Sequence, residues 1–273
     1  MTEIMLFFTS LIATIVRFPE PMLFVAGLIA GTINTLAGGG SFVLFPALMA
    51  AGVPPVIANA SNTYASLPGY MSGAVGFWKD IVKHRDKLLP YTAIALIFGF
   101  VGAELLLHVS NEAFGKIVPW LMLFAVLLFA FGGPINAFIA RRAGQARGMK
   151  IAGTVAIYAL LAALCVYGGF FNAGLGILLL AFLALAGLPD IHAMNGLKSW
   201  ISSAVALIAV VRFALSGSID WYHGSFALVG ATIGGYVAAR LSHRVPTKWL
   251  RALVIIYASG LTVWFFWDAY GAT

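Results

Sequence analysis

The chain has 273 residues, of which 62% are apolar or aromatic and only 9% charged. A soluble domain carries roughly 25% charged residues on a surface that must face water, so this composition excludes a water-soluble globule. The net charge of +7 does not read as a nucleic-acid surface, because the basic residues gather in short loops between apolar runs, which is how membrane proteins set their orientation.

The apolar runs are long and continuous rather than alternating, which predicts membrane helices and not a β-barrel. Residues 1–21 form a leader with an apolar stretch but no basic start and no A-x-A cleavage site. It reads as an extra helix or interfacial segment, not a removed signal. Ten apolar segments follow at about 22–37, 41–53, 59–78, 88–107, 117–139, 150–168, 175–188, 197–215, 223–240 and 248–268. A helix needs about 20 residues to cross the hydrocarbon core, and 41–53 and 175–188 fall short. Each follows a glycine-containing interruption and ends at Gly-x-Pro, Gly52-Val-Pro54 and Gly187-Leu-Pro189. They are expected as half-helices or re-entrant elements; the sequence leaves open whether they cross fully or turn back.

These two segments belong to an internal repeat. Asn34 falls on Asn172, Gly52 on Gly187, Pro54 on Pro189, Asn59 on Asn195, Asn62 on Lys198, Thr63 on Ser199, Tyr64 on Trp200 and Ser66 on Ser202. The division is a first repeat at 22–140, a basic linker at 141–150 and a second repeat at 151–273. Loop 79–87 holds four Lys/Arg and its counterpart 216–222 none, whereas 108–116 holds only Lys116 and its counterpart 240–251 holds Arg240, Arg244, Lys248 and Arg251. The basic loop swaps place between the halves. Loops 79–87, 141–150 and 240–251 are therefore expected in the cytoplasm of a bacterial-type inner membrane. The expected fold is all-α and polytopic, with two inverted-topology repeats whose broken helices meet at the bilayer midplane.

That architecture points to secondary transport, with substrate near the breaks. An interrupted helix frees backbone groups in a medium that cannot solvate them, and helix N-termini favour anions. The first break, Asn34, Thr35, Gly38, Gly39, Gly40 and Ser41, has three successive glycines, and Ser41 is expected to cap the helix after it. The second is Asn172, Gly174 and Gly176. By contrast, Gly27/Gly31, Gly69/Gly73 and Gly230/Gly234 have the four-residue spacing of helix packing.

The run AGTINTLAGGGS, then G-V-P-P, then ANASNTYASLPG, with a weaker second copy, resembles the TauE/SafE family of sulfite and organosulfonate exporters. The resemblance covers about 22–267 and is most specific at 26–68. It implies a secondary transporter exporting sulfite, sulfonates or related anions. Where the first copy has GGGS the second has GLGI, so the halves are expected to contribute differently.

Lys198 lies roughly 13 Å along a helix starting near Pro189, too deep for easy snorkelling. An intramembrane lysine is a functional residue by default, and the resemblance also implies a basic residue here. The alternative is a stem reaching the cytoplasmic interface. The predicted substrate site combines both breaks with Asn59, Asn62, Thr63, Tyr64, Asn195, Lys198, Ser199 and Trp200. Two readings of the Tyr64/Trp200 pair stand, an aromatic gate or plain packing. Glu104, His192 and Arg212 are weaker candidates for coupling or gating: Arg212 snorkels or guards an outer mouth, Glu104 is a proton site or merely hydrated, and Asp190 caps a helix.

No metal spacing joins the five histidines and single cysteine, so no metal or cofactor is expected. No nucleophile–base pair marks an intramembrane enzyme. Expected partners are a small anion and the lipid bilayer, with no nucleic acid and a homodimer left open. A passive anion channel and a carrier of another organic anion are the competing readings.

Overall fold

The computed structural model describes residues 19–36, 38–143, 152–188, 190–241 and 247–271. Among them the chain forms eleven helices and no strand: α1 (Pro19–Leu36), α2 (Ser41–Ala50), α3 (Pro55–Gly76), α4 (Trp78–Val82), α5 (Arg85–Leu107), α6 (Asn111–Ala143), α7 (Ala152–Phe170), α8 (Leu175–Leu185), α9 (Ile191–Leu215), α10 (Trp221–Leu241) and α11 (Thr247–Tyr270). Ten coincide with the ten apolar segments; α4, at the basic loop, is the addition. Within that loop Lys83 bonds Asp80 at 2.7 Å and holds its carboxyl below the usual range.

Several helices start earlier than hydropathy predicts: α3 at Pro55 rather than 59, α6 at Asn111 rather than 117, α9 at Ile191 rather than 197. In α6 and α9 the added first turns carry polar residues, Asn111-Glu112 and His192 with Asn195, which a hydropathy run excludes, and α3 starts at a proline in the first helical position. Asp190 caps α9 as expected, its carboxylate accepting from the His192 N–H at 3.0 Å. Most of the leader, linker residues 144–150 and residues 242–246 of the last basic loop lie outside the described residues.

Four helical stretches are long and apolar enough to cross a membrane: Arg85–Leu107, Asn111–Leu128, Ile191–Leu215 and Ala252–Tyr270. Their outer faces agree, since Leu89, Leu215 and Ile256 are 80%, 79% and 74% exposed. Lipid is the solvent for such a surface, and the chain is a multi-pass membrane protein.

The short helices α2 and α8, of 10 and 11 residues, measure roughly 15 Å and 17 Å, about half the hydrocarbon thickness. α2 turns back along α1, because Gly40 sits against the Ala30 carbonyl and the Asn34 side chain. The two short helices end alike. The Val53 N–H bonds the Leu48 carbonyl and the Leu188 N–H the Leu183 carbonyl, both at 3.1 Å. Gly52 and Gly187 supply the left-handed turn, with φ of 84° and 81°, the glycine-dependent stop of a Schellman motif.

Packing between the halves repeats as well. α1 lies on α10, α7 on α5, and α3 crosses α9 between them. A Cβ added at Gly31 would lie 2.0 Å from the Ala231 carbonyl oxygen, and one at the equivalent Gly169 2.1 Å from that of Gly99. Likewise Gly234 abuts the Leu28 carbonyl and Gly102 that of Val166. Gly27 faces Ala227 as Gly31 faces Ala231, so α1 and α10 run parallel. Glycine here serves close backbone approach, the packing role expected of Gly27/Gly31 and Gly230/Gly234. Gly69 and Gly73 differ: they face the side chains of Asn34 and Ser199.

Candidate functional site

The crossing of α3 and α9 carries a closely spaced run of buried polar residues. Asn59, Ser61, Asn62 and Thr63 are each 1% exposed or less, and Ser202 1%. The first break delivers α2 beside them. Its helix begins after Gly38, at φ 81°, with Gly40 in the capping position and no side-chain cap. The expected capping by Ser41 is not made, because Ser41 falls one residue inside the helix. Its Oγ instead accepts from Asn62 Nδ2 at 3.1 Å. Asn59 reaches across the halves, donating from Nδ2 to the Phe170 carbonyl at 2.8 Å, while the Thr63 hydroxyl returns to the Asn59 carbonyl.

The second break begins at Phe170. Asn172 takes φ 63°, the one positive value at a non-glycine position among the described residues, and Gly174 follows at 79°. α8 also starts without a side-chain cap. Both short helices thus start without a side-chain cap; backbone turns take up some first-turn N–H groups, such as Phe42 to Gly39 and Leu175 to Asn172, and the positive dipole end remains. Tyr70, on α3, reaches Asn172 from the other half: its hydroxyl donates to Asn172 Oδ1 at 3.3 Å. Nothing in the repeat alignment marks Tyr70, since its side chain has no polar counterpart in the second half.

Lys198 approaches from α9. Its stem passes 3.5 Å from where a Cβ on Gly176 would sit, and its ammonium donates to Asn195 Oδ1 at 3.2 Å. No carboxylate pairs with it among the described residues. With the helix starting at Ile191, it lies roughly 10 Å along α9. Asn195 spends its Nδ2 on the Ile191 carbonyl, and Ser199 Oγ faces the bare backbone of Gly73.

Four buried side-chain atoms find no protein partner among the described residues: Asn59 Oδ1, Asn62 Oδ1, Asn172 Nδ2 and Ser202 Oγ. All four lie on α3, α9 or the second break. An orphaned buried polar atom costs about 1–3 kcal/mol, so four of them in one region of helices call for an explanation such as an occupant. A gap of about 10 Å³ opens beside Asn34, Ser66 and Gly69, room for about one water.

Other predicted residues lie elsewhere. Thr35 is exposed, and its hydroxyl reaches the Gly235 carbonyl on α10 at 3.5 Å. Tyr64 and Trp200 do not meet. Tyr64 packs on Trp221 and bonds Ser225 on α10, whereas Trp200 donates to Thr92 on α5 at 2.7 Å. Each aromatic leans on the equivalent helix of the opposite half. Glu104 and Arg212, read separately from sequence, pair with each other: a forked ion pair joins α5 to α9, with Arg212 Nη2 3.2 Å from Glu104 Oε1. His192 is exposed beside Phe77. A larger cavity of about 310 Å³ lies between α3, α5 and α9 along Met71, Leu96 and Leu207. Its walls are apolar, and its Trp200–Thr92 pair is self-satisfied, so it offers a small anion nothing.

A multi-pass helical protein with two broken elements enclosing a buried polar centre belongs to the membrane transporters. The chain is a member of the TauE/SafE family, whose model, described as sulfite exporter TauE/SafE, matches residues 23–265. It is 28% identical to the probable membrane transporter protein YfcA of Escherichia coli K12, over 92% of this chain and 90% of that one. A probable membrane transporter protein of Haemophilus influenzae is 28% identical, covering 90% and 94% of the two chains. The probable membrane transporter protein ORF9 of Sinorhizobium sp is 26% identical over 88% and 90%. No solved structure matches the chain significantly.

Proposed function

We propose that the chain is a secondary-active transporter that exports a small sulfur-containing anion, a sulfite, sulfonate or sulfo-carboxylate, by alternating access. The observation that carries this reading is the set of four orphaned polar atoms, one in the second break and three on α3 and α9, with Asn59 and Asn62 bonded to Phe170 and Ser41 at the two breaks. On the second-half side the chemistry is that of donors: the free Asn172 Nδ2, the Lys198 ammonium without a carboxylate and the uncapped start of α8. An oxyanion has the acceptors such a set lacks. The family description supports a sulfur oxyanion, and the relatives' names support transport.

Alternating access draws support from the repeated contacts between halves and the swapped basic loops. Two inverted repeats rock between equivalent arrangements about a fixed site. This reading puts loops 79–87, 141–150 and 240–251 on the cytoplasmic side of a bacterial-type inner membrane. Burial of the central amides to 2% exposure or less favours a gated site over an open channel.

Reconstituted liposomes offered sulfite, an alkanesulfonate, sulfate and a short carboxylate decide the matter. Saturable flux of a sulfur anion, accelerated by the same anion on the far side, is the expected result. Non-saturating flux without exchange would establish the channel instead, and carboxylate-only flux another organic anion. No anion flux at all would refute the proposal.

A further inference from the structure

The geometry points to Tyr70 as the positioning residue of the anion site, the group that turns Asn172 so that its donor end meets the substrate. This inference rests on the function proposed above. An amide has an acceptor end and a donor end, and only the donor end attracts an anion. Tyr70 occupies the acceptor end, its hydroxyl donating to Oδ1 at 3.3 Å. Nδ2 is thereby left buried without a protein partner.

The backbone of Asn172 is pinned in the left-handed region at φ 63°. The Ala173 N–H bonds the Phe171 carbonyl at 2.8 Å, and the Tyr167 hydroxyl donates to the Ala173 carbonyl at 2.6 Å. Main-chain freedom is used up there. What remains is rotation of the amide, and Tyr70 is the side chain that settles it. Without the phenol, the amide can present Oδ1 to an anion and repel it.

Tyr70 has a second polar neighbour, the side chain of Asn34. One phenol on α3 therefore bonds the asparagine of the second break and lies near that of the first. Asn34 also faces the bare backbone of Gly69, the residue before Tyr70. Tyr70 thus fixes the donor in one half while sensing the break of the other, a role the less polar second-half counterpart does not duplicate.

The test uses full-length protein, with sulfite as probe, in liposome flux and in thermal stabilisation of the detergent-purified protein. Tyr70→Phe is expected to keep the ligand-free melting temperature within a few degrees and Vmax within about twofold, and to raise KM about tenfold. Asn172→Ala is expected to raise KM at least as much. Tyr70→Phe/Asn172→Ala should be no worse than Asn172→Ala, because the phenol acts through that amide. Should Tyr70→Phe fail to fold, Tyr70→His restores a ring donor and is expected to hold KM below that of Asn172→Ala. A wild-type KM in Tyr70→Phe, or strictly additive losses in the double variant, would overturn the role of Tyr70 while leaving the transport reading intact. A wild-type protein that neither carries nor is stabilised by any sulfur anion would overturn both.

Discussion

Asn172 stands at a backbone angle that most side chains avoid, φ 63°. Asparagine tolerates it because its short amide bonds locally. The chain accepts that conformation, and an unpartnered Nδ2, inside a membrane protein where both are costly. Lys198 shows the same logic in charged form, an ammonium whose named partner is a neutral amide rather than a carboxylate. If the lysine binds substrate, Lys198→Ala should lower anion flux by about tenfold or more, as loss of a charged hydrogen bond of about 1.5–3 kcal/mol implies. Lys198→Arg should retain part of it. Flux into liposomes, normalised to inserted protein, checks this. Unchanged flux in Lys198→Ala would mean that the side chain only snorkels.

Among the elements, α1 and α10 show how glycine sets distance. Even one methyl at Gly31 would meet backbone, 2.0 Å from the Ala231 carbonyl oxygen, and backbone cannot rotate aside. Gly31→Ala is therefore expected to lower the melting temperature in detergent by about 5 °C or more. Gly260→Ala, where nothing lies within 4 Å, should change it by no more than about 1 °C. The elements were the most legible part of the sequence, because hydropathy marks each of ten segments and Gly-x-Pro marks the ends of α2 and α8. The polar composition of the site was legible too, through the asparagines shared by the two copies. Its wiring was not. Tyr70, and the Glu104–Arg212 pair spanning 108 residues, are contacts of the folded chain, and neither falls on a repeat match or a local spacing. Ser41 looked like a cap because it follows glycines, yet the cap position is Gly40.

At the scale of the whole molecule, two halves related in sequence also exchange equivalent contacts, Gly31 with Ala231 and Gly169 with Gly99. Under the proposed alternating access, each half would supply one broken element, and interconverting their roles would open opposite sides. Single cysteines in loops 79–87 and 216–222 test the orientation. The native Cys165 is buried and should stay silent. Membrane-impermeant thiol reagents should reach the second loop from outside and the first only after the membrane is opened. Labelling of both from one side would exclude inverted repeats.

The central claim is an anion site built at the breaks of both halves, and Asn172→Asp tests it with almost no change of shape. The substitution keeps the left-handed backbone available but places a carboxylate where the free amide donor stands. Affinity of the purified protein for labelled sulfite, compared between wild type and this variant at equal folded content, is the measurement. A fall of at least about tenfold is predicted, from loss of a donor and gain of like charge. Equal affinity in the two proteins would contradict an anion at Asn172 and with it the shared site.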